Sequence, residues 1–149
     1  MQLNLPFSEQ KITVTDSGKQ LIYDKLRCRY VALTPEEWVR QNFVDYLINH
    51  KGYPRGRIGN EISLKLNGTL RRVDTLVTDA QGNPLVIVEY KAPNINISQR
   101  TFDQISRYNL VFGAPYVIVS NGMNHFCCHL DINTGLCRFL PEIPLYYNL

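Results

Sequence analysis

The 149-residue sequence lacks several motifs that define common enzyme classes. It has no G-x-x-x-x-G-K-[ST] phosphate loop and no nucleophile elbow, which argues against an ATP-driven motor and an α/β serine hydrolase. No apolar run approaches membrane-spanning length, and the polar, proline-containing N-terminus is unlike a signal peptide. We therefore expect a cytoplasmic protein with no membrane association.

The C-x-x-C spacing of many metal and redox sites is absent from the sequence. We expect reduced core thiols in a cytoplasmic protein. A zinc site is an alternative, because His125, Cys127 and His129 alternate along one predicted strand and Cys137 lies on the next. Core cysteines and surface histidines are the simpler explanation, since paired zinc ligands usually flank a turn. The four cysteines are Cys28, Cys127, Cys128 and Cys137.

Strong charge of either sign is also missing. The formal net charge is +3 and the isoelectric point is about 8.7, a mildly basic balance that is compatible with nucleic acid without indicating it. The length is that of one domain with a substantial core. We expect a single domain over residues 1–149, with its core at about residues 26–122.

The most informative stretch is the apolar run from Pro84 to Tyr90, which predicts a buried strand. Glu89 and Lys91 follow at its end, and residues two apart lie on the same face of a strand. A solvated, salt-bridged strand end would explain an isolated E-x-K. Charged groups at the edge of a core are costly to desolvate, however, so a functional role is the alternative.

A second predicted strand, residues 70–78, carries one acid, Asp74, among apolar residues. A turn-rich segment at residues 79–84 joins it to the Glu89 strand, so the two predict an antiparallel hairpin. Asp74 and Glu89 then approach each other at one end of the sheet. Two carboxylates suit Mg²⁺ or Mn²⁺, and Lys91 can orient a water and stabilise charge on a phosphate.

The remaining elements alternate between strand and helix. A hairpin is predicted around residues 16–19, and a helix begins at Thr34, Pro35 and Glu37, which have the spacing of a capping box. A strand at residues 58–67, a second helix from Ser98 and a strand at residues 115–120 follow. A terminal hairpin is predicted at residues 123–140, and we expect the tail to lie on the surface. The expected fold is α/β, with a central mixed sheet flanked by helices and with extra N-terminal and C-terminal hairpins.

The order of several short motifs along the chain resembles that of PD-(D/E)xK nucleases. More narrowly, it resembles that of the N-terminal nuclease domain of type I restriction enzyme R (HsdR) subunits. The resemblance implies a restriction-endonuclease-like core and extends over about residues 26–122. The residues that carry it are Thr34 to Gln41, Arg72-Val73-Asp74, Val88 to Pro93, Gln104 to Asn109 and Ser120-Asn121-Gly122.

The resemblance implies a Mg²⁺-dependent or Mn²⁺-dependent DNA endonuclease without the motor of whole R subunits. Asp74, Glu89 and Lys91 match the catalytic residues, and the backbone carbonyl of Tyr90 is a further metal ligand in the family. Expected partners are DNA and other restriction-modification subunits or a second copy of the chain. The alternative is a non-catalytic DNA-binding or protein-interaction module that retains the fold.

Several polar residues have both a functional and a plain interpretation. The second helix carries a Q-x-x-x-Y motif, which the resemblance associates with DNA contact, although an isolated polar helix face needs no such role. Arg71 and Arg72 are either phosphate contacts or solvated edge residues. Glu37 and Glu61 are candidate accessory acids, but capping explains Glu37 and solvation explains Glu61. The predicted DNA-binding residues are Gln104, Tyr108, Arg100, Arg107 and Arg72.

Overall fold

The computed structural model describes residues 1–149, apart from the side chain of Leu66. No described helix is long and apolar enough to cross a membrane. The helices are α1 (Pro35–Lys51) and α2 (Gln99–Asn109), and short 3-10 turns lie at Arg55–Arg57, Leu110–Phe112 and Tyr146–Asn148. The strands are β1 (Ile12–Val14), β2 (Gln20–Asp24), β3 (Arg29–Ala32), β4 (Ile58–Leu66), β5 (Thr69–Thr78), β6 (Pro84–Tyr90), β7 (Tyr116–Ser120), β8 (His125–Leu130) and β9 (Cys137–Leu140).

The main sheet has six strands in the order β4-β5-β6-β7-β8-β9. Only β6 and β7 pair in parallel, because α2 connects them and returns the chain to the same end of the sheet. The other neighbours are antiparallel. The expected mixed sheet with two helices is therefore confirmed. The C-terminal hairpin, expected as an addition, extends this sheet instead.

The two helices cover opposite faces of the sheet. Val39 and Phe43 of α1 belong to one buried cluster, which includes Val88 of the sheet. Phe102 of α2 belongs to another cluster, together with Val117 of β7. Val117 and the neighbouring Ile118 of the first cluster alternate between faces, as expected for a strand that is buried on both sides.

Helix α1 begins and ends where the sequence predicts. Thr34 Oγ1 accepts a hydrogen bond from the Glu37 backbone N–H at 3.0 Å, and Pro35 occupies the first turn. Gly52 ends the helix with a φ of 71°. The expected capping box is only half formed, because the Glu37 carboxylate accepts from Arg27 at 3.0 Å rather than from the Thr34 backbone.

The N-terminal strands and the C-terminal tail both pack on the main sheet. Strands β1, β2 and β3 form a separate three-stranded sheet, in which Ile22 and Asp24 are buried. The expectation of a surface tail is wrong, because Ile143 is buried and the Tyr146 hydroxyl donates to the Thr78 carbonyl at 3.0 Å. Apolar residues among the prolines of the tail explain this packing.

The cysteines correct the expectation of four reduced core thiols. Cys128 and Cys137 form a disulfide between β8 and β9, with Cα atoms 5.9 Å apart, because antiparallel pairing places them diagonally opposite each other. Cys28 is exposed, and only Cys127 is a buried free thiol. Cys127 packs in the α1-side cluster and Cys137 against the α2-side cluster, so the alternative zinc set is not assembled.

Gly52 should be required at the end of α1 because of its backbone conformation alone. A side chain there would meet no atom within 4 Å, but its φ of 71° is strained for other residues. Gly52→Ala should lower the free energy of unfolding by about 1 kcal/mol in denaturant titrations. Gly56→Ala is the control, since Gly56 is equally open and has an ordinary φ; equal stability of the two variants would contradict this account.

Candidate active site

The β5–β6 hairpin places two carboxylates opposite each other at one end of the sheet. Thr75 pairs with Val88 in this register, so Asp74 and Glu89 occupy the next opposed positions. Asp74 Oδ2 accepts a hydrogen bond from the Tyr90 backbone N–H at 2.8 Å, which fixes its carboxylate beside β6. The structure therefore brings together the two acids that the sequence analysis singled out.

Burial and the repulsion between the two acids raise the pKa of Glu89. The pKa of Glu89 is raised to about 8, first by burial, then by the negative charge of Asp74 and by a hydrogen bond between the two carboxyl groups. The cation of Arg71 opposes the rise without cancelling it. The pair therefore retains a proton at neutral pH, as expected for two like charges that share a poorly solvated site.

Arg71 contacts this pair from β5. Its Nη2 atom donates to Glu89 Oε1 at 3.3 Å, and its guanidinium lies 3.4 Å from the ring centroid of Tyr108 on α2. Its Nη1 atom is buried and has no hydrogen-bond partner in the described part of the chain. The sequence analysis left Arg71 as either a phosphate contact or a solvated edge residue, and no sequence signal indicated its contact with Tyr108.

Lys91 follows directly after β6. Its backbone N–H donates to the Ser120 carbonyl at 2.9 Å, which ties this position to β7, and the residue is half-buried. Glu89 forms its ion pair with Arg71, and no ion pair of Lys91 occurs among the described residues. The interpretation of Glu89 and Lys91 as a salt-bridged strand end is therefore wrong.

Glu61 lies on β4, next to the Asp74 strand. Its backbone has a φ of 54°, in the left-handed region, although the β4–β5 register is the same on either side of it. Its carboxylate is 2.6 Å from Arg40 Nη2 and 3.5 Å from Arg72 Nη1. The interpretation of Glu61 as a simply solvated residue is wrong, because its carboxylate forms an ion pair with Arg40 of α1.

Arg40 is a buried residue of α1 that the sequence analysis missed. Its Nη1 atom donates to the Asp74 carbonyl at 3.1 Å, and its Nε atom lies 3.2 Å from Glu37 Oε2. Burial acts to lower the pKa of Arg40, but Glu37 and Glu61 raise it overall. Arg40 therefore stays charged and binds both candidate accessory acids. The spacing of Glu37 and Arg40, three residues apart on one helix, was the available signal.

A chain of buried hydrogen bonds continues behind the site. The Tyr90 hydroxyl donates to Thr75 Oγ1 at 2.9 Å, and Thr75 donates to Asn60 Oδ1 at 2.7 Å. The Asn60 amide donates to Asp24 Oδ2 at 3.0 Å. This chain connects β6, β5 and β4 to the N-terminal sheet, so the strand end that carries Glu89 is braced from behind.

The predicted DNA-binding residues are mainly on the surface. Gln104, Arg100 and Arg107 are exposed on α2, and Arg72 is exposed on β5. Of the α2 residues named here, Tyr108 is the one that the structure connects to the carboxylates, through Arg71. The geometry thus distinguishes Tyr108 from its neighbours, which sequence spacing could not.

The donor set fits a hard divalent cation that binds few protein ligands. No cluster of three or more His, Cys, Asp or Glu side chains suited to a metal occurs among the described residues. Mg²⁺ is commonly held by one or two carboxylates, with water and substrate phosphate completing its shell. Asp74 and Glu89 supply that number of carboxylates, and the raised pKa of Glu89, caused by burial and by the charge of Asp74, is consistent with a site that lacks positive charge.

Fold and site together define a mixed α/β domain with an apposed pair of acids and a lysine at one end of its sheet. Residues 35–144 match the family described as type I restriction enzyme R protein N terminus, and the chain belongs to this family. No curated protein matches the sequence.

A solved structure shares the fold. It is the fragment structure of a protein described as an HsdR subunit of a type I restriction enzyme from Vibrio vulnificus YJ016. The TM-score is 0.52 at 21% sequence identity, and the match covers 75% of this chain. The chain spans only 24% of the length of that structure.

The raised pKa of Glu89 predicts a pH dependence of stability in the absence of metal. A carboxyl group with a raised folded-state pKa stabilises the fold fully below about pH 4.5 and loses that contribution as the pH rises to about 8. In EDTA, Glu89→Gln should therefore unfold at a higher temperature than the wild type near pH 8. The difference should shrink towards pH 5, as thermal unfolding at a series of pH values would show.

Glu142→Gln is the matched control for this experiment. Glu142 is exposed on the tail, so its substitution should leave the pH dependence of the wild type unchanged. If Glu89→Gln and the wild type unfold in parallel across this pH range, Glu89 does not retain a proton in the folded protein.

Proposed function

We propose that this chain is a metal-dependent DNA endonuclease of the PD-(D/E)xK class, with a restriction-endonuclease-like core. The observation that carries the proposal is the apposition of Asp74 and Glu89 across β5 and β6, with Lys91 two residues beyond Glu89. Membership of the R-protein N-terminal family supports a role in restriction.

Phosphodiester hydrolysis adds water across a P–O bond. The water oxygen bonds to phosphorus, the bond to one nucleoside oxygen breaks, and that oxygen takes up a proton. Asp74, Glu89 and the backbone carbonyl of Tyr90 would hold Mg²⁺ or Mn²⁺, which supplies positive charge for the phosphate when bound. Lys91 would orient the attacking water and stabilise the charge that develops on the phosphate.

The residues around this core have supporting roles in the proposal. Arg40 donates to the Asp74 backbone carbonyl and forms ion pairs with Glu37 and Glu61. Glu37 and Glu61 therefore act by positioning Arg40 and are not metal ligands in this proposal. The exposed α2 residues would contact the DNA backbone, since arginine, amide and hydroxyl groups bind phosphate and sugar. These DNA-binding residues are Gln104, Tyr108, Arg100 and Arg107, with Arg72 of β5.

The partners of the proposed enzyme follow from its family. Type I restriction R proteins give the family its description, and the structural relative is several times longer than the region matched here. DNA is the proposed substrate. Other restriction-modification subunits, or a second copy of this chain, are the proposed protein partners.

A non-catalytic module with the same fold is the second candidate. The observation that favours it is the ion pair of Glu89 with Arg71, which occupies a carboxylate oxygen that a metal would need. A catalytic site requires that pair to open when metal and DNA bind. Cleavage of plasmid and short duplex DNA in Mg²⁺ or Mn²⁺ distinguishes the two candidates, because only the enzyme cuts.

Two substitutions should separate metal binding from catalysis. Asp74→Asn keeps the shape of the side chain but removes an anionic ligand, so Mg²⁺ and Mn²⁺ affinity should fall at least about tenfold. Lys91→Ala removes a nearby positive charge, so metal affinity should be retained or increase while cleavage is lost. Calorimetric metal titration beside a plasmid cleavage assay measures both effects.

The pattern of results in these two variants is the test. Loss of folding would abolish metal binding in both, so thermal unfolding serves as the control. An Asp74→Asn variant that binds metal as tightly as the wild type, or a Lys91→Ala variant that cuts normally, would contradict the assigned roles.

Gln104 provides a test of the α2 surface. Because Gln104 is exposed, Gln104→Ala should leave the melting temperature unchanged while weakening binding to a short duplex by about two- to tenfold. Gln81→Ala, an exposed glutamine in the β5–β6 turn, is the matched control. Equal DNA binding by both variants and the wild type would make the α2 face an ordinary polar surface.

A further inference from the structure

The Arg71 guanidinium occupies an unusual position between the carboxylate pair and α2. Arg71 belongs to β5, three residues before Asp74, while Tyr108 belongs to the C-terminal end of α2. The guanidinium is 3.4 Å from the Tyr108 ring centroid and 3.3 Å from Glu89 Oε1. One side chain therefore joins the candidate metal site to the proposed DNA-binding helix.

Stacking on the ring determines where the guanidinium can donate. The N–H groups of a guanidinium lie in its plane, so a ring against its face leaves them directed sideways. One nitrogen, Nη2, contacts Glu89, while the buried Nη1 has no partner among the described residues. A buried donor without an acceptor is costly, so Nη1 is free to donate to an oxygen atom from outside the chain.

A role for Arg71 in neutralising the charge of Glu89 does not by itself explain its position between Glu89 and Tyr108. Charge-assisted N–H···O bonds are typically about 2.7–2.9 Å long, and the Arg71–Glu89 contact is longer, at 3.3 Å. A salt bridge also needs neither an aromatic platform nor a second, unpaired nitrogen. A planar fork with an unused donor beside two acids is suited to the oxygens of a phosphate group.

We propose that Arg71 is a phosphate-binding residue for the nucleic-acid backbone and that Tyr108 positions it by stacking. Arg71 is then a substrate-binding residue, and Tyr108 acts through Arg71 rather than through its own contact with DNA. The inference rests on the proposed function, since the phosphate is that of the proposed substrate. It changes the role that the Q-x-x-x-Y resemblance implies for Tyr108.

The same contact links the two ligands of the site. When Arg71 turns its donors towards a phosphate, it releases Glu89 Oε1, and that oxygen becomes available to a cation. A cation on Asp74 and Glu89 in turn replaces the positive charge that Arg71 supplied. Phosphate and metal should therefore bind with positive coupling, because each removes a cost of binding the other.

DNA binding without metal gives the most direct test. Anisotropy of a labelled short duplex would be measured in EDTA over a range of salt concentrations, using the 149-residue chain. All variants carry Glu89→Gln, so that the loss of Arg71 does not expose an uncompensated carboxylate. Arg71→Ala should then make the slope of log affinity against log salt shallower by about 0.9, the value for one lost phosphate contact.

The Tyr108 variants separate positioning from direct contact. Tyr108→Phe keeps the ring and should retain the parent slope and affinity, whereas Tyr108→Ala should match Arg71→Ala. Combining Arg71→Ala with Tyr108→Ala should add no further loss, because the two residues form one contact. Arg138→Ala on β9 and Tyr147→Ala in the exposed tail are matched controls and should leave the slope unchanged.

Each alternative result overturns an identifiable part of the account. An unchanged slope in Arg71→Ala, with Arg71→Gln as a second variant if the first fails to fold, would make Arg71 a structural residue only. Tyr108→Phe as damaging as Tyr108→Ala would assign the contact to the hydroxyl. If the Arg71 variants show the expected change in slope but the wild-type protein cuts no DNA in Mg²⁺ or Mn²⁺, only the nuclease proposal is overturned. If the wild-type protein does not bind DNA, both proposals are overturned.

Discussion

The apposition of two buried carboxylates across β5 and β6 is the constraint on which the rest of this structure depends. Burial disfavours the charged form of Glu89, and the negative charge of Asp74 adds to this effect, so that the pKa of Glu89 is raised to about 8. Such an arrangement lowers the stability of the isolated domain. In our proposal this cost serves function, because a cation bound between the two carboxylates would relieve their repulsion.

Two arginines keep the surrounding structure compatible with this concentration of acids. Arg40 approaches from α1 and binds Glu37, Glu61 and the Asp74 backbone, while Arg71 approaches from β5 and binds Glu89. They differ in one respect that bears on function. Arg40 is held between the carboxylates of Glu37 and Glu61 within the fold, whereas Arg71 stacks on Tyr108 of the helix that faces DNA in our proposal.

The sequence predicted the order of elements and the position of the acids, because those depend on local signals. Alternation and turn residues identified β5 and β6, and Thr34 and Pro35 identified the start of α1. The sequence could not predict the partners of long side chains, which depend on three-dimensional packing. The contact of Arg71 with Tyr108 joins β5 to α2, and the contact of Arg40 with Glu61 joins α1 to β4, so neither follows from a local residue pattern. The Cys128–Cys137 disulfide was missed for the same reason, since its spacing matches no short motif.

Anomalous X-ray diffraction from crystals that contain Mn²⁺ and a short duplex tests the central claim most directly. The account predicts an anomalous peak between Asp74 and Glu89, with carboxylate oxygens from both residues about 2.0–2.2 Å from the ion. It also predicts that Arg71 has moved from Glu89 to a backbone phosphate. A DNA complex in which the Glu89–Arg71 pair stays intact and Mn²⁺ binds elsewhere, or not at all, would contradict it.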